Sequence, residues 1–146
     1  MGTDYRVLAG CCLAMIAALL VVGAVSHGVI RHIVQTSPLW IVIALSVRKS
    51  AFAKWAALPC FVFWLLLMSA IWLFLLGWAR IVSGTFLPTE IAMTLVVGLG
   101  SIIGGVTAVR MRTPVRAWPA VGTTMLLAIL QIGALRLSLL PQIAHR

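Results

Sequence analysis

The run Val96-Val97-Gly98-Leu99-Gly100-Ser101-Ile102-Ile103-Gly104-Gly105 sets four glycines inside an apolar stretch long enough to cross a membrane. In water, each glycine in a helix interior costs roughly 1 kcal/mol relative to alanine. In lipid the helix cannot unravel, because freed backbone groups would find no solvent. The same glycines then form a flat surface on which a neighbouring helix packs closely. Gly98-Leu99-Gly100 with Gly104 also has the outline of a dinucleotide loop, but such a loop must follow a strand and open a helix. Both flanks here read as membrane helix. Gly98, Gly100, Ser101, Gly104 and Gly105 are therefore read as a helix-packing seam, for a helix of this chain or of another.

The composition supports that setting. Of 146 residues, 63% are hydrophobic and 9% charged, whereas soluble domains carry about 25% charged residues. Too little polar surface exists to cover a globule in water. The formal net charge is +9, yet the cations fall in the breaks between apolar runs, where they meet anionic headgroups. Nucleic acid needs a basic face on a soluble fold, so it is not an expected partner. Cys11, Cys12 and Cys60 all lie in apolar runs, the wrong arrangement for a disulfide framework or a zinc site, and read as small hydrophobes. Leu8-Ala9-Gly10-Cys11 imitates a lipoprotein cleavage box, but Asp4 and Arg6 precede it and the apolar run follows. Arg6 also stands where a myristoylation signal needs Ser or Thr. Neither a cleaved signal nor a lipid anchor is expected.

Working outward, the pattern predicts an all-α polytopic membrane protein, a single membrane-embedded helical domain over residues 1–146. It has four transmembrane helices, over about 7–30, 56–79, 91–109 and 117–140, each able to span a core about 30 Å thick. A further short helix over about 38–50 opens at Pro38 and stops at Arg48 and Lys49. Joining it to its neighbour would bury Arg48, Lys49 and Lys54, at roughly 2.5–3.5 kcal/mol each. It is therefore read as interfacial or re-entrant, with Trp40 at the headgroups. In the first span Gly10, Ala14 and Ala18 recur every four residues and share one face, a second small-residue docking surface. Pro59 is read into the first turn of its span, where proline costs little. Ser83-Gly84-Thr85 forms a loop, and Leu87-Pro88-Thr89-Glu90 opens the third span with proline and an acid suited to a helix start.

With four spans, Arg31, Arg48, Lys49, Lys54, Arg110, Arg112 and Arg116 share one side, leaving Arg6, Arg80, Arg136 and Arg146 on the other. The positive-inside rule then puts both termini outside the cytoplasm. The compact loops point to a bacterial inner membrane.

Candidate chemistry is sparse. The only acids are Asp4 and Glu90, both at helix ends, so two-carboxylate hydrolysis and magnesium-dependent transfer lack their residues. No enzymatic activity, metal or cofactor is expected. His27 and His32 stand five apart, about 140° around a helix, and cannot both face one haem iron. His27 and Arg31 are four apart and would share a face. They form the candidate contact for a quinone, a lipid headgroup or another small amphiphile near the cytoplasmic boundary. The plain alternative for His27 is an interfacial imidazole bonded to a carbonyl. Glu90 reads as a helix cap, with an ion pair to Arg80 as the functional alternative. Gln131, Thr123, Thr124 and Ser101 read as interhelical hydrogen bonds, worth about 0.6 kcal/mol on average. Two functional readings follow. One is a non-enzymatic integral membrane protein, an accessory subunit of a larger complex or a self-associating four-helix bundle. The other is a binding or transport protein for a quinone, lipid or small amphiphile. The lipid bilayer is a partner in both.

Overall fold

The computed structural model describes residues 2–80 and 84–144. Ser83, His145 and Arg146 lie outside the described residues. The chain forms α1 (Gly2–Val25), α2 (Val29–Val47), α3 (Ala53–Leu75), α4 (Pro88–Arg110), α5 (Ala117–Ser138) and a single turn, α6 (Pro141–Ala144). Five of these, α1 to α5, are long and apolar enough to cross a membrane. Large apolar side chains such as Leu13, Leu66, Leu99 and Ile129 cover the outside of the bundle. That exterior suits hydrocarbon and not water.

The all-helical class agrees with the sequence reading, but the arrangement of four spans plus one short helix is replaced by five long helices. The segment expected as a short helix over 38–50 is the second half of α2. Its 19 residues rise about 28 Å at 1.5 Å per residue. Pro38 does not open this helix; it sits inside it. A proline there removes the bond to the carbonyl four residues back, that of Val34. The Ser37 hydroxyl donates to that carbonyl at 2.8 Å, so the helix continues at little cost. Arg48 and Lys49 fall in the turn after α2, and Lys54 lies in the first turn of α3. The burial penalty that argued against a fifth span does not arise.

A second proline is handled from outside its own helix. Because α3 begins at Ala53, Pro59 lies nearly two turns in, beyond the first turn expected for it. It frees the Trp55 carbonyl, and Thr124 of α5 donates to that oxygen at 3.2 Å. α1 also differs from its expected span, starting earlier and ending at Val25. Asp4 lies in its first turn, where an acid complements the helix dipole.

Three helices end with the same hydrogen bond, from an N–H to the carbonyl five residues back. These are Gly28 to Gly23 at 2.8 Å, Ser50 to Leu45 at 2.9 Å and Trp78 to Leu73 at 2.9 Å. The residue before each donor is left-handed, with φ of 55° at His27, 52° at Lys49 and 74° at Gly77. This closure satisfies carbonyls that the helix end would otherwise leave open.

Around the bundle the order is α1, α4, α3, α5, α2 and back to α1, with α2 also touching α3. α4 is thus held between α1 and α3, with Gly100 facing the first and Gly104 the second. A Cβ on Gly104 would run into the ring of Phe61 from α3, and one on Gly100 would come within 2.9 Å of Met15 Cγ from α1. Phe61 and Met15 are themselves almost wholly buried. The seam on α4 is filled by this chain. At the basic end, the Lys54 ammonium donates to the carbonyls of Val109 at 3.3 Å and Met111 at 2.7 Å. It closes the C-terminal end of α4, where a cation also favours the dipole.

Candidate functional site

The five long helices do not fill the bundle at the end where α4 begins. A cavity of about 300 Å³ remains there, lined by residues of α1 to α5 and of the loop before α4. Arg31 and His32 of α2 and Glu90 of α4 line its polar part. Trp64 and Met68 of α3 and Val97 of α4 line its apolar part. From Glu90 to Val97 the cavity follows α4 for about 10 Å. Small-molecule sites combine such a mostly apolar lining with a few polar groups that fix orientation.

Each polar group has a definite state. Glu90 uses one carboxylate oxygen to accept the Leu87 N–H at 2.7 Å, capping α4 as the residue types at its start imply. Its other oxygen is not committed to that cap. The His32 ring nitrogen Nδ1 donates to the Gly28 carbonyl at 2.9 Å. A carbonyl only accepts, so Nδ1 carries hydrogen and Nε2 is the acceptor of the neutral ring. The tight approach of α2 to α1 holds this ring, since a Cβ on Gly23 would lie 3.1 Å from His32 Nδ1. Among the described residues, Arg31 Nε and Trp64 Nε1 are buried donors with no hydrogen-bond partner. An unmade hydrogen bond at a buried donor costs about 1–3 kcal/mol.

Beside the cavity, Gln35 ties α2 to α5. Its amide donates to Ser138 Oγ at 2.9 Å, and Gln131 donates to the Gln35 carbonyl at 3.2 Å. Gln35 also lines the cavity. Thr94, another lining residue, accepts from Trp72 Nε1 at 3.1 Å and donates to the Ile91 carbonyl at 2.6 Å. These bonds fix the wall on two sides.

The site residues singled out from the sequence divide clearly. Arg31 lines the cavity and His27 does not. His27 is exposed in the left-handed turn after α1. The four-residue spacing that pairs it with Arg31 holds only within one helix, and α2 starts at Val29. Arg31 and Glu90, assigned to opposite sides by the four-span reading, line the same cavity because the chain folds into one more long helix. Arg80 is exposed and is not among the lining residues.

The packing residues divide in the same way. Gly100, Ser101 and Gly104 are buried, Gly105 is half-buried, and a Cβ on Gly98 would meet nothing within 4 Å. Ser101 Oγ donates to its own helix at the Val97 carbonyl, 2.8 Å away. On α1, Ala18 is buried, while Gly10 and Ala14 are exposed. Of the span polars, Thr124 and Gln131 bond across helices and Ser101 Oγ also lies 3.8 Å from Met15 Sδ of α1, whereas Thr123 donates to Pro119 within α5. His32, Gln35 and Trp64 were not recognised as site residues from sequence. Arg31-His32 beside a glycine turn was the available signal, and it gains meaning only once α2 is a full helix. No group of three or more His, Cys, Asp or Glu able to hold a metal ion exists among the described residues. No protein-family model matches the chain, and no curated protein or solved structure shows significant similarity to it.

Proposed function

We propose that this chain is a non-enzymatic integral membrane protein that holds a small amphiphile in the cavity between its five long helices. The ligand class is a quinone or lipid whose acceptors meet Arg31 and Trp64 and whose apolar part lies against Met68 and Val97. The observation that carries this reading is Trp64, a residue that lines the cavity and whose Nε1 is a buried donor without a partner among the described residues. A ligand carbonyl or other acceptor would complete it. Five crossings exchange the sides of Arg6 and Arg31, so the seven-to-four distribution of cations survives. The N-terminus then belongs with Arg48, Lys49, Arg110, Arg112 and Arg116 on the cytoplasmic side of a bacterial inner membrane. The cavity then lies toward the other side.

The test is to extract the protein from its native membrane in mild detergent and to identify bound lipids and quinones by mass spectrometry. Trp64→Phe preserves the ring shape and removes the donor; Arg31→Gln removes the cation. A quinone or lipid retained by the wild type and depleted in both variants is the expected result. Equal retention in wild type and both variants overturns the reading.

A second reading, self-association or service as an accessory subunit, rests on the α1 face. A Cβ on Gly10 would meet nothing within 4 Å, and Ala14 beside it is exposed, which leaves that face open to another helix. Crosslinking in membranes that Gly10→Leu and Ala14→Leu both abolish would support it, and crosslinking unchanged in both would remove it.

A further inference from the structure

Apart from the cavity, the outer surface carries a groove between α3 and α4 near the end rich in cations. Its volume is about 340 Å³, and Val62, Leu65, Ile102, Val106 and Gly105 line it, with Arg110 as its only charged residue. From Ile102 to Arg110 it follows α4 for about 12 Å. Nothing in its lining competes for a polar ligand: Ser101, the other polar side chain, donates into its own helix. We propose that this groove binds one anionic phospholipid, an acyl chain lying over Gly105 and the phosphate at Arg110.

Charge selects this occupant. With five crossings, Arg6, Arg48, Lys49, Lys54, Arg110, Arg112 and Arg116 gather at one end, and Asp4 is the sole acid there. Lys54 is committed to the carbonyls that end α4, whereas Arg110 is exposed at the lip of the groove. A second copy packed on this groove would lie in the membrane in the same orientation and bring its own Arg110 to the same end. Like charges at close quarters oppose that contact, and an anionic headgroup satisfies it. This inference is independent of the cavity.

Gly105 offers a clean way to fill the groove. A Cβ there would meet only Phe61 Cβ, at an ordinary 3.8 Å, so Gly105→Leu occupies the acyl position without displacing a neighbour. The experiment reconstitutes the protein in vesicles of equal phosphatidylglycerol and phosphatidylcholine with matched acyl chains. The protein is then extracted in mild detergent and the retained lipid counted by native mass spectrometry. The wild type is expected to retain phosphatidylglycerol over phosphatidylcholine. Arg110→Gln should lower that retention about fivefold, the effect of one arginine near the membrane surface, and Gly105→Leu should abolish it. Arg116→Gln, at the same end but outside the groove, should change it less than about twofold. Thermal unfolding in detergent establishes that each variant is folded. Equal retention of the two lipids by the wild type overturns the proposal. So does an unchanged Gly105→Leu, or an Arg116→Gln loss as large as that of Arg110→Gln. A dimer that Gly105→Leu dissolves would assign the groove to a second copy and equally overturn it.

Discussion

The seam on α4 and the small-residue stripe on α1 share one spacing and have opposite fates. Gly100 and Gly104 stand four apart, as do Gly10, Ala14 and Ala18. Yet Gly104 lies under the Phe61 ring and Gly100 against Met15, while the space beside Gly10 is open to 4 Å. Small residues at helical spacing make a surface flat, which permits close approach. What brings a neighbour onto that surface is a large side chain placed to fill it. α3 and α1 supply such side chains to α4. Nothing among the described residues supplies one to the outer half of the α1 stripe, and only Ala18 at its far end is covered.

The largest effect is expected at Gly104. Gly104→Leu should cost about 3 kcal/mol or more, because a rigid ring in a packed interior cannot yield as a flexible chain does. Thermal unfolding in detergent reads this as loss of a cooperative transition or a large fall in its midpoint. Adding Phe61→Ala to that variant should recover a substantial part of the loss, since the two changes exchange volume at one contact. Ala18→Leu tests the covered end of the α1 stripe. Burial there should make it destabilising by about 2 kcal/mol in the same assay.

Thr124→Val tests the course of the helix that delivers Phe61. Without the hydroxyl, the Trp55 carbonyl freed by Pro59 loses its donor from α5. The loss should be about 1 kcal/mol, and reverting Pro59 to Ala in the same background should cancel it by restoring the backbone bond. Gly10→Leu is the smallest effect, within about 0.5 kcal/mol of wild type as expected of an exposed site. A large destabilisation by Gly10→Leu in a monomeric preparation would contradict the open face of α1.

Several features were legible residue by residue. Pro88 and Glu90 announced the start of α4, and the Leu87 N–H does bond to the Glu90 carboxylate. The run from Ile91 to Val109 was recognised as helix despite four glycines, because its length and lack of charge outweigh glycine propensity in a membrane. The second helix is not legible in the sequence for two local reasons. Pro38 looks like a helix start, and only the Ser37 hydroxyl on the Val34 carbonyl explains why it is not one. The cluster Arg48, Lys49 and Lys54 looked like a barrier to joining α2 and α3 into one span. It is in fact the turn between two long helices, with Lys49 left-handed to close α2. That single difference puts Arg31 at the end where α4 begins, lining the same cavity as Glu90, while His27 stays outside the site.

By itself the sequence determined a helical, membrane-suited chain, the glycine surface of α4, and the basic breaks that end the apolar runs. These follow from hydropathy and backbone chemistry, which act over one or two helical turns. The tertiary structure alone decided which glycines are covered, how Pro59 is relieved, and that Arg31, His32, Glu90 and Trp64 surround one cavity. Those outcomes depend on side chains more than twenty residues apart in sequence meeting across helices. Apolar exteriors give no amphipathic signal of which face turns inward. The direction each helix faces is therefore set by the fit of its neighbours.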